Sequence, residues 1–140
     1  MCVMVWNLIV LVSYKCRLRQ GGILSPVLFA VYMDTLIARL RISGFGCTLA
    51  DTYYGCLVYA DDIMLLSHTV NAMRHMLAIC DQFAAEFDLK FNNNKSVAMR
   101  VGKKFSVQCA PFILSGGELK CVSELKYLYL VAAKCFKTIV

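Results

Sequence analysis

Two neighbouring carboxylates are the residues of this chain that are best suited to chemistry. Asp61 and Asp62 follow Tyr59 and Ala60, and apolar residues flank this four-residue run on both sides. Two like charges this close repel each other, and apolar neighbours add a desolvation cost. A divalent cation relieves both effects, because Mg²⁺ prefers carboxylate oxygens. The pair is therefore a candidate metal site, and the alternative is an ordinary solvated loop.

A β-hairpin is the element that we expect to position this pair. Residues 56–58 and 63–66 are apolar and favour strands, whereas two adjacent aspartates favour a turn. We therefore predict a hairpin over 55–60 and 63–67. Both acids would lie at its tip and face one open site.

The bulk composition indicates one apolar domain with a modest basic excess. The chain has 140 residues, of which 59% are hydrophobic and 17% are charged, and its net charge is +6. That charge is compatible with a polyanionic partner. No run approaches the ~20 apolar residues that a membrane span needs. The eight cysteines are scattered without a Cys-x-x-Cys pair, so we interpret Cys56 and Cys80 as small core residues in a reducing compartment.

A second candidate site precedes the first predicted helix. The basic stretch 15–20 is followed by two glycines, and Ser25 and Pro26 then favour a helix start. The helix should run to about Arg41 and stop at Gly44. Cations and glycine backbone before a helix N-terminus favour phosphate, and a plain loop-to-helix junction is the alternative. Because most of its sides are apolar, we predict that the helix lies in the core.

The other elements complete an α+β pattern with an antiparallel sheet. Apolar residues recur at helical spacing over 69–87, which predicts a second helix with one buried face. His68 and His75 are expected at the surface and receive no chemical role. The remaining predicted elements are an apolar strand or short helix at 1–13, a loop or edge strand at 45–54, a strand at 96–101, a hairpin at 112–122 and one strand at 124–131.

Four short runs, in this order, resemble the reverse transcriptases of non-LTR (LINE-type) retrotransposons. The runs are Arg19-Gln20-Gly21-Gly22-Ile23-Leu24-Ser25-Pro26 (motif B), Tyr59-Ala60-Asp61-Asp62 (motif C, YADD), Leu89-x-Phe91-Asn92-x-x-Lys95-Ser96 (motif D) and Lys126-Tyr127-Leu128 (motif E). The resemblance covers roughly residues 16–130. Each motif alone is weak evidence, but four in order are specific.

The resemblance implies a fold and an activity. The fold would be a partial polymerase palm, α+β, in which an antiparallel sheet with the catalytic-type hairpin packs on two helices. The activity would be RNA-directed DNA synthesis with two Mg²⁺ ions. Its partners would be an RNA template, a DNA primer and nucleoside triphosphates, with no membrane. An intracellular location, in nucleus or cytoplasm, is expected from the family.

The resemblance also implies which residues act in catalysis. Asp61 would bind metal directly, and Asp62 would add negative charge behind it. Lys95 would sit near the triphosphate, where it could donate a proton to pyrophosphate.

A further set of residues would contact substrate. Tyr59 would lie near the primer end. Gln20 and Gly21, flanked in the same run by Arg19 and Gly22, would line the incoming nucleotide and its template base. The primer grip would include Lys126, Tyr127 and Leu128.

Two departures from the family pattern limit the expected activity. The family requires a further metal-binding aspartate, motif A, on a strand before motif B, but no Asp or Glu precedes Asp34. Two adjacent acids cannot balance two divalent ions. Tyr129 stands where motif E usually has glycine, which puts its tight turn in doubt.

We therefore expect a truncated fragment that is inactive by itself, with apolar faces left exposed. Its parts would be an apolar N-terminal segment of unclear origin at 1–15, the partial palm at 16–131 and a tail at 132–140. A non-catalytic nucleic-acid-binding remnant is the main alternative. A nucleotidyl cyclase and a chain that never folds stably are the others.

Overall fold

A computed structural model describes residues 2–7, 25–59, 62–101, 110–122, 124–127 and 130–133 of the chain. These residues form two helices and eleven strands, which mix α and β structure as the sequence predicts. The elements are β1 (Cys2–Asn7), α1 (Ser25–Ile42), β2 (Thr48–Leu49), β3 (Thr52–Tyr53), β4 (Cys56–Tyr59), β5 (Asp62–Ser67), α2 (Val70–Glu86), β6 (Val97–Arg100), β7 (Ile113–Leu114), β8 (Gly117–Glu118), β9 (Lys120–Cys121), β10 (Glu124–Tyr127) and β11 (Leu130–Ala133).

The main sheet has five strands in the order β4-β5-β1-β6-β9. Its central strand is β1, which pairs antiparallel with β5 on one side and with β6 on the other. The expectation of an antiparallel sheet holds for these pairs, but β9 joins β6 in the parallel direction. A parallel neighbour needs a long connection, and the chain between β6 and β9 provides it, because it includes the β7–β8 hairpin.

Helix α2 packs one apolar face against this sheet. Thr69 caps its N-terminus, where the side-chain oxygen accepts a hydrogen bond of 3.1 Å from the backbone N–H of Ala72. The buried residues of the helix are Met73, Met76, Leu77, Cys80, Phe83 and Ala84. They form one core with Ile63 and Leu65 of β5. The predicted helix and its buried face are therefore confirmed.

Helix α1 buries only one stripe, so the prediction of a helix buried in the core is wrong for its other side. Met33, Leu36 and Leu40 lie in the core, at the spacing of one helical face. Val27 and Val31 each keep 60% of their surface exposed. An apolar helix touches its neighbours along a single stripe, and composition alone does not say which stripe that is. The helix stops before Gly44, which has a φ of +73° as a helix end requires.

The C-terminal halves of the two helices are joined by a bidentate ion pair. The guanidinium of Arg39 donates to both carboxylate oxygens of Glu86, at 2.6 and 3.0 Å. The same guanidinium lies over the ring of Phe83, 5.6 Å from its centroid. Hydrogen bonding to Arg39 lowers the pKa of Glu86 below its ordinary value. The fork geometry fixes the crossing of the helices as well as their contact.

The β7–β8 hairpin is fastened to α2 by two side chains of that helix. Asp81 accepts a hydrogen bond of 2.8 Å from the backbone N–H of Ser115, which has a φ of +46°. Gly116 follows with a φ of +75°, so the two turn residues have the left-handed conformations of a type I′ turn. Seven residues before Asp81, Arg74 donates to the carbonyl oxygen of Ala110 at 3.2 Å.

Residues 124–133 form a hairpin, whereas the sequence predicts one strand at 124–131. Tyr127 pairs with Leu130, so only two residues, 128 and 129, connect β10 to β11. The expectation about the turn at Tyr129 itself lies outside the described residues. Strand β11 runs to Ala133, past the boundary at 131 that was expected from the motifs. Neither helix among the described residues is long and apolar enough to cross a membrane.

Candidate functional site

The β4–β5 hairpin forms where the sequence predicts it. Tyr59 pairs with Asp62, so two residues connect the strands, and the second of them, Asp61, lies outside the described residues. Asp62 itself is the first residue of β5 and is half-buried, instead of lying in the turn as expected. Residues that pair directly across an antiparallel ladder share one face of the sheet. The Tyr59 ring, 62% exposed, and the Asp62 carboxylate therefore lie side by side.

That pair lies on the sheet face opposite the helices. Ile63 and Leu65 are buried in the core with α2, whereas Met64 and Leu66 pack in a separate cluster around Met99. Side chains alternate between faces along a strand. Asp62 therefore shares the face of Met64 and Leu66, and the hairpin presents its polar end away from α1 and α2.

The end of β1 lies beside this hairpin. In the antiparallel register of β1 and β5, Asn7 is the Cα partner of Asp62. The sequence assigns no role to this segment, because its pairing with β5 joins residues more than fifty positions apart. The available signal is that Asn7 is the first polar side chain after the apolar run 3–6. The register position on β1 opposite Asp62 is therefore occupied by a neutral residue, Asn7.

Lys95 comes to the same end of the sheet. Val5 of β1 pairs with Val97 of β6 in antiparallel register. Two residues further along β1 is Asn7, and two residues back from Val97 is Lys95, which is exposed. Lys95 itself lies in the turn just before β6, at the end of the sheet where β1 ends and β5 begins.

Several residues of the predicted site cannot be placed by these strand pairings. Residues outside the described part of the chain are Arg19, Gln20, Gly21, Gly22, Asp61 and Leu128. Lys126 and Tyr127 lie on β10, in a two-stranded sheet with β11 that is separate from the main sheet. The structure therefore brings together Tyr59, Asp62 and Lys95 of the predicted set, and it adds Asn7.

The cysteines next to the site are core residues. Cys56 lies on β4 and packs against the core, and burial raises the pKa of its thiol to about 12. Cys80 on α2 is buried, and its burial also raises its pKa well above the ordinary value. Thiols that stay protonated at neutral pH neither attack substrate nor bind metal readily. Among the residues that the structure describes, no three His, Cys, Asp or Glu side chains form a group that could hold a metal ion.

The reverse transcriptase (RNA-dependent DNA polymerase) family profile matches residues 4–130, and the chain belongs to that family. It is similar to retrovirus-related Pol polyproteins of R2 retrotransposable elements. The type-1 element protein of Popillia japonica is 32% identical over 94 residues, which are 66% of this chain and 13% of that protein. The type-1 protein of Nasonia vitripennis is 30% identical over 122 residues, which are 81% and 12%.

A type-2 element protein, R2DM of Drosophila melanogaster, is 28% identical over 118 residues, which are 79% of this chain and 11% of that protein. The chain thus spans about an eighth of the length of the curated relatives that it matches. The resemblance to non-LTR retrotransposon reverse transcriptases, first suggested by four motifs, is confirmed.

Proposed function

We propose that the chain is the palm portion of an RNA-directed DNA polymerase of a non-LTR retrotransposon. In the complete polymerase it would act on an RNA template, a DNA primer and nucleoside triphosphates. The observation that carries the proposal is the convergence of Tyr59, Asp62 and Lys95 at one end of the five-stranded sheet. These residues come from two separate motifs, C and D, of the resemblance, and the pairing of β1 with both β5 and β6 brings the two motifs to one end of the sheet.

Each of these side chains has a role in the proposal. The carboxylates of Asp61 and Asp62 supply negative charge for Mg²⁺, with Asp61 as the direct ligand. Tyr59 is exposed beside them and can contact the primer end. Lys95, in the turn at the same end of the sheet, can reach the triphosphate and donate a proton to the pyrophosphate that leaves.

The remaining family positions are assigned on the resemblance. Arg19, Gln20, Gly21 and Gly22 would line the incoming nucleotide and its template base. The primer grip would include Lys126, Tyr127 and Leu128. Support for both assignments is that the family match extends over residues 4–130, which contain all of these positions.

The residues of the sheet end fit two magnesium ions only in part. Two Mg²⁺ ions bring four positive charges, and phosphoryl transfer needs them held rigidly by several carboxylates. Asp62 supplies one carboxylate, Asp61 is adjacent to it, and the neighbouring register position on β1 is occupied by the neutral Asn7. We therefore propose that this chain by itself does not extend a primer, and we derive no catalytic step through the metals.

Primer extension tests the proposal. The purified chain would be incubated with a primed RNA template, deoxynucleoside triphosphates and Mg²⁺. We expect no product above background from the chain alone. Robust extension that Asp61→Ala abolishes would show that the site is complete, and would contradict the proposed inactivity.

A second candidate function is nucleic-acid binding without catalysis, which the net charge of +6 favours. The basic residues that suggest it, Lys15, Arg17, Arg19, Lys103 and Lys104, lie outside the described residues. Binding to a primed RNA would be measured between 50 and 200 mM salt, conditions over which counterion release weakens a phosphate-driven complex steeply. A flat response, or no binding at low salt, would exclude this candidate.

A further inference from the structure

The loop before β6 is a tight turn in which one residue, Asn92, accepts most of the hydrogen bonds. The side-chain oxygen of Asn92 accepts from the backbone N–H groups of Asn94, at 3.0 Å, and Lys95, at 3.3 Å. Its backbone carbonyl accepts from the N–H groups of Lys95 and Ser96, at 3.2 and 3.0 Å. The Ser96 hydroxyl donates to the same carbonyl at 2.7 Å. Asn92 is thus the acceptor of all five contacts.

Buried residues fix both ends of this turn. Phe91 is 6% exposed and belongs to the main core, and Ser96 is 1% exposed. Between them Lys95 is exposed. An asparagine side chain that accepts from N–H groups two and three residues ahead fixes the backbone without help from a strand ladder. The turn therefore holds the Cα of a flexible lysine at one place relative to β6.

That place is the end of the sheet at which the hairpin presents Asp62. Lys95 precedes Val97 by two residues, and Val97 is in register with Val5, two residues before Asn7. The ammonium group of a lysine is carried by four flexible methylenes and can occupy many positions. Its contribution to binding therefore depends on where the Cα is held, because the Cα position sets which of those positions are near the ligand. A turn of different shape would shift the whole volume that the Lys95 ammonium can reach.

We propose that Asn92 is a positioning residue, which acts through Lys95 to set the site of a triphosphate at this end of the sheet. The inference rests on the proposed function, because the role of Lys95 comes from it. Asn92 does not touch the ligand itself. Its side-chain oxygen determines the turn, and the turn determines where the Lys95 ammonium can go.

A double-mutant cycle with inorganic tripolyphosphate as the probe tests this inference. Binding to the full chain at low salt with Mg²⁺ would be followed by NMR titration. We expect Lys95→Met to weaken binding about fivefold, the effect of losing one exposed charge contact of ~1 kcal/mol. Asn92→Ala should weaken it by a similar factor, and the double variant should bind no more weakly than Lys95→Met alone.

Matched variants separate positioning from general damage to the fold. Asn94→Ala removes an amide side chain from the same turn but leaves the Asn92 acceptor, and should bind as the unmodified chain does. Asn92→Ser keeps an uncharged acceptor oxygen on a shorter side chain, so it should bind more tightly than Asn92→Ala and more weakly than the unmodified chain. Should Asn92→Ala not fold, the comparison of Asn92→Ser with Asn94→Ala decides the question, because equal affinity of those two would overturn the inference.

The outcomes also distinguish this inference from the function on which it rests. Loss of affinity in Lys95→Met with none in Asn92→Ala would overturn the positioning role and leave the proposed function standing. An Asn92→Ala loss that persists in the Lys95→Met background would overturn it too. No loss in Lys95→Met would overturn both this inference and the triphosphate role of Lys95, and would leave the family assignment standing, because that rests on the profile match over residues 4–130.

Discussion

Asn7 is the register partner of Asp62 across the central strand pair of the sheet. A residue with a carboxamide side chain therefore occupies the register position on β1 that pairs with the acidic hairpin. A carboxamide has the shape of a carboxylate but carries no charge. With the neutral Asn7 at that register position, β1 adds no negative charge next to Asp62, whereas two Mg²⁺ ions would require several carboxylates.

The core between the sheet and α2 should dominate the stability of the chain. Phe83 is fully buried among core residues, and its truncation leaves a large cavity. We expect Phe83→Ala to lower the free energy of unfolding by about 3–5 kcal/mol. The matched control is Val27→Ala on the exposed side of α1, which should cost less than ~0.5 kcal/mol. Urea denaturation of both variants checks this, and equal losses would mean that the assigned faces are wrong.

The ion pair between the helices should make stability depend on acid pH. Hydrogen bonding to Arg39 lowers the pKa of Glu86, so the folded state binds this proton less readily than the unfolded state does. The stabilisation is therefore present above the ordinary glutamate pKa of 4.5 and is lost as pH falls through the lower folded value.

Melting temperatures of the unmodified chain and Glu86→Gln, compared at pH 7 and near pH 3, check this dependence. We expect a lower melting temperature for the variant at pH 7 and a smaller difference at the acid end. Glu118→Gln, which removes another exposed carboxylate, serves as the control and should show no such pattern. A difference that grows on acidification would contradict the assigned pair.

The contact of Asp81 with Ser115 should hold the β7–β8 turn in its left-handed conformation. Ser115 has a φ of +46°, which a residue with a side chain adopts only at a cost. We expect Asp81→Ala to destabilise the chain by about 1–2 kcal/mol and to speed hydrogen exchange at the Ser115 amide. Asp81→Asn keeps an acceptor oxygen and should lose less. Unchanged exchange in Asp81→Ala would show that the turn forms without this contact.

The cysteines should differ widely in their reaction with alkylating agents. Burial raises the pKa of Cys56 to about 12, and it raises the pKa of the buried Cys80 as well. Cys121 on β9 is exposed. Because the thiolate is the reactive form, native alkylation at pH 8 should modify Cys121 well before Cys56 or Cys80, as mass spectrometry of peptides would show. Early modification of Cys80 would contradict the burial of α2's apolar face.

Local pattern was sufficient to predict the elements that position most of the site. The 3.6-residue period of α2 and the apolar strands on both sides of Asp61 and Asp62 are visible within a few residues. These features depend on residues that are close together along the chain, so the sequence alone is enough to predict them.

The pairing of strands that are far apart along the chain could not be predicted from the sequence. The apolar run at β1 is compatible with a strand or a helix, and nothing in it indicates that Asn7 meets Asp62. For the same reason the parallel β6–β9 pair and the exposed stripe of α1 were not predicted. The β10–β11 hairpin was missed because Leu128 and Tyr129 carry no turn signal.

Binding of Mn²⁺, used as a paramagnetic substitute for Mg²⁺, tests most directly the claim that the site is short of negative charge at β1. Asn7→Asp adds a carboxylate beside Asp62. Asn71→Asp adds the same charge on α2, just beyond the far end of β5, and is the matched control. We predict that Asn7→Asp binds Mn²⁺ at least about tenfold more tightly than the unmodified chain, about 1.4 kcal/mol, and that Asn71→Asp does not. Equal affinities in all three proteins would contradict the account.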